Sequence, residues 1–283
     1  MTEPVATLPA PPADGTALKC QCADLWGHPA AQILLGESLR PGGRELTARL
    51  LELAPLGDSA VVVDIGSGPG STLELLAERG LTPVGVDYSP SLARQAAERP
   101  GAVVAVGDSE RLGLRDGVAD AVTMECVLSA LPDKRAAVAE ARRLLVPGGW
   151  LLFSDMTIAE AFPEPLNSAL AWVACAGGAL RPEGYVGLLE ETGFSVVQSL
   201  DQSPSLGAMV AKARRRLALF RGASGVGLLP SLEEFVGPEL TALGRTLLGH
   251  HDLAAGGRTV LAQVADAVRT GDMGYMALAA RAS

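Results

Sequence analysis

The residues whose types and spacing could do chemistry fall into two groups. The first is a glycine-rich turn, Gly66-Ser67-Gly68-Pro69-Gly70, directly after the β-branched run Ala60-Val61-Val62-Val63-Asp64-Ile65. Such a turn lets a backbone approach a charged ligand closely, because glycine carries no Cβ and reaches positive φ. Asp87 ends a second apolar run 21 residues after Gly66. A carboxylate there can accept hydrogen bonds from ribose hydroxyls. Asp108 ends a third run, where a carboxylate can accept from an adenine amino group. The second group is the four cysteines: Cys20 and Cys22 in a C-x-C near the N-terminus, Cys126 right after a fourth run and Glu125, and Cys175 within Trp172 to Leu180. A lone cysteine is usually a small buried hydrophobe. Cys126 and Cys175, however, both follow strands on the same edge of a sheet, and two thiolates there could hold a soft, thiophilic centre.

These positions need a scaffold. Strand-like runs at Ala60–Ile65, Thr82–Val86, Ala102–Val106, Ala119–Met124, Trp150–Phe153 and Phe194–Ser199 alternate with helical stretches. Among the latter are Ser71–Arg79, a helix opened by Ser89-Pro90, Asp133–Leu145 and Glu183–Thr192. Alternation of this kind specifies a doubly wound α/β sheet, whose ligands bind at the carboxyl ends of the strands. Residues 24–56 are helical in pattern and break at Leu39-Arg40-Pro41-Gly42-Gly43. A seventh strand is expected at 273–281, the last β-rich run of the chain. Residues 1–23 then form a flexible tail, and 24–203 with 271–283 the cofactor-binding domain. Residues 204–270 form a helical insertion, either a cap over the active-site edge or a subdomain with no catalytic part.

Composition narrows the function. The chain has 283 residues, with 23 basic against 32 acidic side chains and a net charge of −9. That balance speaks against a nucleic-acid surface, which needs a basic stripe. With 48% hydrophobic and 19% charged residues, the chain is globular and not disordered. No stretch approaches the roughly 20 apolar residues of a membrane helix, so no membrane partner is expected. The N-terminus lacks the basic and apolar regions of a secretory signal, so a cytoplasmic location with reduced thiols is expected.

The Gly66 turn with Asp87 serves either a dinucleotide or S-adenosylmethionine. The glycines here are spaced G-x-G-x-G and not G-x-G-x-x-G, and Asp108 adds an adenine acceptor. At this point the chain resembles the class I S-adenosylmethionine-dependent methyltransferases. The resemblance rests on VVVDIGSGPG, GVDYSP, GDSERLGLRDGVADAV and LLVPGGWLLFSD, in order over residues 60–155. It implies a Rossmann-like sheet of about seven strands and S-adenosylmethionine as cofactor. It also implies cofactor contacts from Asp64, Gly66, Ser67, Gly68, Asp87, Tyr88, Asp108, Ser109 and Glu125. By the same resemblance Gly66, Ser67 and Gly68 meet the methionine end, Asp87 the ribose, Asp108 and Ser109 the adenine, and Glu125 the sulfonium.

For the methyl acceptor, there is no Asn-Pro-Pro-Tyr after strand four and no obvious His–acid pair to act as a general base. The segment Glu125-Cys126-Val127 to Pro132-Asp133-Lys134 resembles the first-cysteine segment of arsenite methyltransferases. Cys175-Ala176-Gly177-Gly178-Ala179, 49 residues later, resembles their second. The chain has Glu125 where that family usually has Asn, and it lacks a cysteine shortly before strand one. Leu39-Arg40-Pro41-Gly42-Gly43 and the C-terminal Gly-Tyr-x-x-Leu-x-Ala-Arg resemble a less characterised bacterial sister group with the same two cysteines. The implied activity is methyl transfer to As(III) bound by Cys126 and Cys175, with Cys20 or Cys22 as a third ligand or else a surface thiol, and a small thiol as reductant. A small-molecule C-, O- or S-methyltransferase of bacterial secondary metabolism is the alternative. The sequence leaves the oligomeric state open.

Overall fold

A computed structural model describes residues 39–159, 177–225 and 252–283, together with Lys19, Trp26 and scattered positions between 230 and 245. Seven strands form one sheet in the order β3-β2-β1-β4-β5-β7-β6. The strands are β1 (Val61–Ile65), β2 (Thr82–Asp87), β3 (Val103–Val106), β4 (Ala119–Glu125), β5 (Leu145–Ile158), β6 (Phe194–Asp201) and β7 (Met273–Ala282). β1 to β5 run parallel, whereas β7 lies antiparallel between β5 and β6. The C-terminal run therefore is the seventh strand, as its pattern indicates.

The helices are α1 (Gly43–Glu52), α2 (Ser71–Glu78), α3 (Pro90–Ala97), α4 (Lys134–Leu144), α5 (Pro182–Glu191), α6 (Ser203–Gly225) and α7 (Leu253–Thr270). Their starts follow local chemistry. Ser89 Oγ accepts the Leu92 N–H and Pro90 fills the first turn of α3. Asp133 caps α4 through Ala136 N, and Asp252 caps α7 through Ala255 N. Each cap satisfies an N–H that the helix cannot satisfy itself.

Period-two alternation along β7 divides the core. Met273, Tyr275, Ala277 and Ala279 join the apolar layer beneath α1, α2 and α6, and Met276, Leu278, Ala280 and Ala282 join the layer beneath α4 and α5. The two helices of the 204–270 region lie in this arrangement. Leu206 and Val210 of α6 and Ala267 of α7 pack in the first layer with Leu46, Leu50 and Tyr275. None of the described residues of α6 or α7 lines the cleft discussed below.

β5 is longer than its apolar run. Its ladder with β7 continues from Trp150 opposite Arg281 to Ile158 opposite Met273. Ser154, Asp155 and Thr157 interrupt the hydrophobic pattern yet are buried in the strand. Two of them have internal partners: Ser154 Oγ lies 3.0 Å from the Tyr275 hydroxyl, and Asp155 accepts from Ser129 N and from its own neighbour Met156 N. Burying a polar group is tolerated when it is hydrogen-bonded.

Candidate functional site

The sheet order reverses between β1 and β4, and the carboxyl ends of β1, β2 and β4 open a cleft there. The glycine turn forms its wall. Gly66, Gly68 and Gly70 all have positive φ, at 75°, 54° and 86°. Gly66 is required twice over, since a Cβ on it would lie 2.4 Å from Val127 Cγ2. The turn is tied down by Gly66 N and Ser67 N, which donate to Val86 O at 2.8 and 3.1 Å. Ser67 lines the cleft; its Oγ is buried, packs close to Gly85 of β2 and has no hydrogen-bond partner among the described residues.

Asp87 sits at the end of β2, accepting from Gly68 N and Ser89 N, each at 2.8 Å. A carboxylate offers about four lone-pair directions, so two remain for donors from a ligand. Burial raises its pKa, against the two backbone hydrogen bonds. Tyr88, Asp108 and Ser109 also line the cleft. Asp108 is already engaged: Lys19 Nζ lies 2.9 and 2.8 Å from its two oxygens, and Glu110 N donates to it at 3.0 Å. Lys19 also reaches Glu110 Oε2 at 2.5 Å. Asp64 lies elsewhere. It is buried in β1, does not line the cleft, and accepts from Thr123 Oγ1 at 2.6 Å. Burial, reinforced by the Glu125 charge, lifts its pKa to about 7.

The other end of the cleft is built around Glu125, whose side chain is 3% exposed. Thr47 Oγ1 donates to both its oxygens at 2.9 and 3.0 Å, and Thr72 Oγ1 to one at 3.3 Å. Arg40 Nε lies 2.9 Å from Oε2. The two buried groups form an ion pair, so each charge has its counter-ion beside it. The Arg40 Nη2 group donates to Thr47 and to Thr72, the latter at 2.8 Å. Burial alone would lower the Arg40 pKa, but Glu125 and Asp64 more than offset it, and the guanidinium stays charged.

Cys126 follows Glu125 and lines the cleft, half-buried, with φ at +61°. A non-glycine residue in this region is strained and is held by its surroundings. Here the hold is the Cys126 N–H, which donates to Ser154 O at 2.7 Å across the β4–β5 junction. Trp26, Leu39, Val127, Ala130 and Leu131 give this end of the cleft an apolar lining. Nearby, burial raises Asp155 to about 6 and lowers Lys134 to about 8. Cys20, Cys22 and Cys175 lie outside the described residues.

The structure thus brings Gly66, Ser67, Gly68, Asp87, Tyr88, Asp108, Ser109, Glu125 and Cys126 to one cleft and leaves Asp64 behind its wall. Sequence reasoning missed Arg40, Thr47, Thr72 and Lys19. For Arg40 a signal existed: it sits in the Leu39-to-Gly43 break as a charged residue among helix-breaking ones. S-adenosylmethionine fits the donor set present. Asp87 retains acceptor capacity for a ribose diol, and the Ser67 hydroxyl of the glycine turn is buried without a partner among the described residues.

Comparison with known proteins agrees. A family model described as a methyltransferase domain matches residues 63–153. An arsenite methyltransferase of Aquipseudomonas alcaligenes is 30% identical over 241 residues, covering 76% of this chain and 69% of that protein. A demethylmenaquinone methyltransferase of Corynebacterium urealyticum is 35% identical over 153 residues, covering 52% of this chain and 64% of that protein. Among solved structures, a Haemonchus contortus phosphoethanolamine N-methyltransferase in complex with S-adenosylhomocysteine superposes with a TM-score of 0.70 at 17% identity, over 89% of this chain and 56% of that one. No helix among the described residues is long and apolar enough to cross a membrane.

Proposed function

The chain belongs to the class I S-adenosylmethionine-dependent methyltransferases, and on that premise we propose that its methyl acceptor is As(III) bound to protein thiolates. The observation that carries the proposal is Cys126, a cysteine held at positive φ on the cleft wall beside Glu125. The 30% identity to an arsenite methyltransferase supports it.

Bound in the cleft, S-adenosylmethionine supplies an electrophilic methyl group on a positive sulfur. The chain's own residues do the rest. Asp87 accepts the ribose hydroxyls and so fixes the cofactor's register along the cleft. Glu125 places a negative charge toward the sulfonium end. Cys126 replaces a hydroxide on As(III), because a soft metalloid prefers sulfur. Cys175 supplies a second thiolate in this reading, with Cys20 or Cys22 as a third. Ligation fixes the arsenic lone pair in space, and that pair needs no proton removed before it attacks. The As–C bond forms as the methyl–sulfur bond breaks, S-adenosylhomocysteine leaves, and arsenic passes formally from As(III) to As(V). The small thiol, oxidised to its disulfide, supplies the two electrons that return it to As(III). That no proton is removed accords with a cleft whose lining contains no histidine among the described residues. The apolar wall of Trp26, Leu39, Val127 and Leu131 excludes water. Catalysis is then positioning and exclusion of solvent.

Labelled S-adenosylmethionine, a small thiol and As(III) incubated with the protein should give labelled methylarsenicals on chromatographic speciation. The absence of any labelled arsenic species would overturn the assignment. The same apolar wall, with the likeness to demethylmenaquinone methyltransferases, supports a second reading in which an organic acceptor occupies the cleft and Cys126 is packing. Methyl transfer to an organic acceptor, without transfer to arsenic, is the result expected of it.

A further inference from the structure

We propose that Asp155 and Lys134 form a clamp on the loop from Cys126 to Leu131, and that through this loop they act as positioning residues for the methyl acceptor. The proposal rests on the cleft being the site of methyl transfer and is independent of whether the acceptor is arsenic.

Three observations carry it. The loop is a wall of the cleft: Cys126, Val127, Ala130 and Leu131 line it, whereas Leu128 and Ser129 are fully buried and do not. The second observation is that this wall starts from a strained residue, Cys126 at a φ of +61°. Such a conformation persists only where the surroundings fix it. The bond from Cys126 N to Ser154 O anchors the first residue of the loop and leaves the rest to be held. The third observation is what holds the rest: two opposite charges, from β5 and α4. The Asp155 carboxylate is fully buried and accepts from Ser129 N at 3.0 Å and from Ser129 Oγ. Lys134 Nζ donates to Leu131 O at 2.8 Å. Burial is the larger influence on both groups, raising the Asp155 pKa and lowering that of Lys134, and the charge of each partner counters it on the other. Burying an ion pair is costly, and apolar residues of similar volume commonly serve stability as well or better. What the pair adds is direction, because one carboxylate takes both the N–H and the hydroxyl of Ser129 in charge-assisted hydrogen bonds. Ser154 and Asp155 are consecutive in β5, so the same strand end grips the loop at Cys126 and again at Ser129. The Cys126 side chain is thereby kept at one place on the wall.

The test reads the loop through its own thiol, with no acceptor present. Alkylation of Cys126 by iodoacetamide is followed in the full chain by mass spectrometry of the peptide that carries it, across a range of pH. The rate plateau at high pH is independent of thiol ionisation and so reports how firmly the loop holds the sulfur. Ser129→Ala removes one hydrogen bond and no charge, and the plateau should rise about 3- to 10-fold. Asp155→Asn removes the charge and one of the two acceptors for Ser129, and the rise should be roughly 10- to 100-fold, as expected for lost charge-assisted contacts. Calorimetric affinity for S-adenosylhomocysteine should stay within about 3-fold in both variants, since Asp87 and the glycine turn are held by backbone contacts of their own. Where the parent methylates As(III), kcat should fall with the same ranking and the KM for S-adenosylmethionine should change little. A parent that methylates no arsenic would end the arsenic reading, and the alkylation plateaus would still decide the clamp. If Asp155→Asn leaves Lys134 without its counter-charge and the protein fails to fold, the double variant Asp155→Asn/Lys134→Met removes both charges and is read the same way. Unchanged plateaus in Ser129→Ala and in the charge-free variant, or a rise matched by an equal loss of cofactor affinity, overturn the proposal.

Discussion

The two ends of the cleft are built in different ways. The Asp87 end is local: Gly66, Ser67 and Gly68 come from one turn, Asp87 from the next strand, and the contacts that hold them are largely backbone N–H groups within about 20 residues of each other. The Glu125 end is assembled from afar. Glu125 meets Thr47 across 78 positions and Thr72 across 53, with Arg40 beside them. Local backbone can cradle any nucleoside, whereas a buried charge cluster from several segments responds to changes at each of them.

The sharpest way to break this comparison is Cys126→Ser. A hydroxyl is a hard and poorly ionised ligand, so As(III) methylation should fall at least 100-fold, while S-adenosylhomocysteine affinity measured by calorimetry stays unchanged. Retained arsenic methylation would leave Cys126 with a packing role. At the opposite end, Asp87→Ala should do the reverse and weaken the cofactor by about 1.5–3 kcal/mol, for loss of charge-assisted hydrogen bonds. Unaltered cofactor affinity would remove Asp87 from the site. Gly66→Ala forces a Cβ to within 2.4 Å of Val127 at a φ of +75°. It should cost roughly 1–3 kcal/mol, visible as a lowered melting temperature.

The smallest effect sits behind the wall. Burial raises Asp64 to about 7, above the roughly 3.9 of an unfolded chain. The folded state then holds this proton more tightly, so the group's contribution to stability is complete below about pH 4 and is lost as the pH rises through about 7. Asp64→Asn keeps an acceptor for Thr123 but carries no charge. It should be more stable than the parent at pH 8 by about 1–2 kcal/mol, with no advantage at pH 4, in urea unfolding. A difference that does not vary with pH would contradict the shift.

That Gly66, Ser67, Gly68 and Asp87 share one cleft was legible in the sequence. Buried parallel strands are continuous β-branched runs, so β1 and β2 announce themselves, and the residues that end them fall at the ligand edge. β7 was legible by elimination, as the last β-rich run available to complete the sheet. The polar stretch of β5 was not. Ser154, Asp155 and Thr157 break the apolar pattern, and the burial of Ser154 and Asp155 is made tolerable by Tyr275 and Ser129, contributed from other elements. Arg40 and Lys19 were hidden for a similar reason. An arginine in a helix break and a lysine near the N-terminus look like solvated charges until Glu125 and Asp108 are placed against them. Pairing across such separations leaves no periodic signal in one sequence. Asp64 shows the opposite case: its motif marks it as a ligand contact, and the structure places its carboxylate against Thr123, buried and outside the cleft lining.

The central claim is that arsenic is held by sulfur from Cys126. X-ray absorption at the arsenic edge, on protein loaded with one equivalent of As(III) and freed of small thiols, measures this directly. A sulfur shell around arsenic in the parent protein, with one sulfur fewer in Cys126→Ser, is the expected result. An oxygen-only shell, or the same spectrum from both proteins, would contradict it.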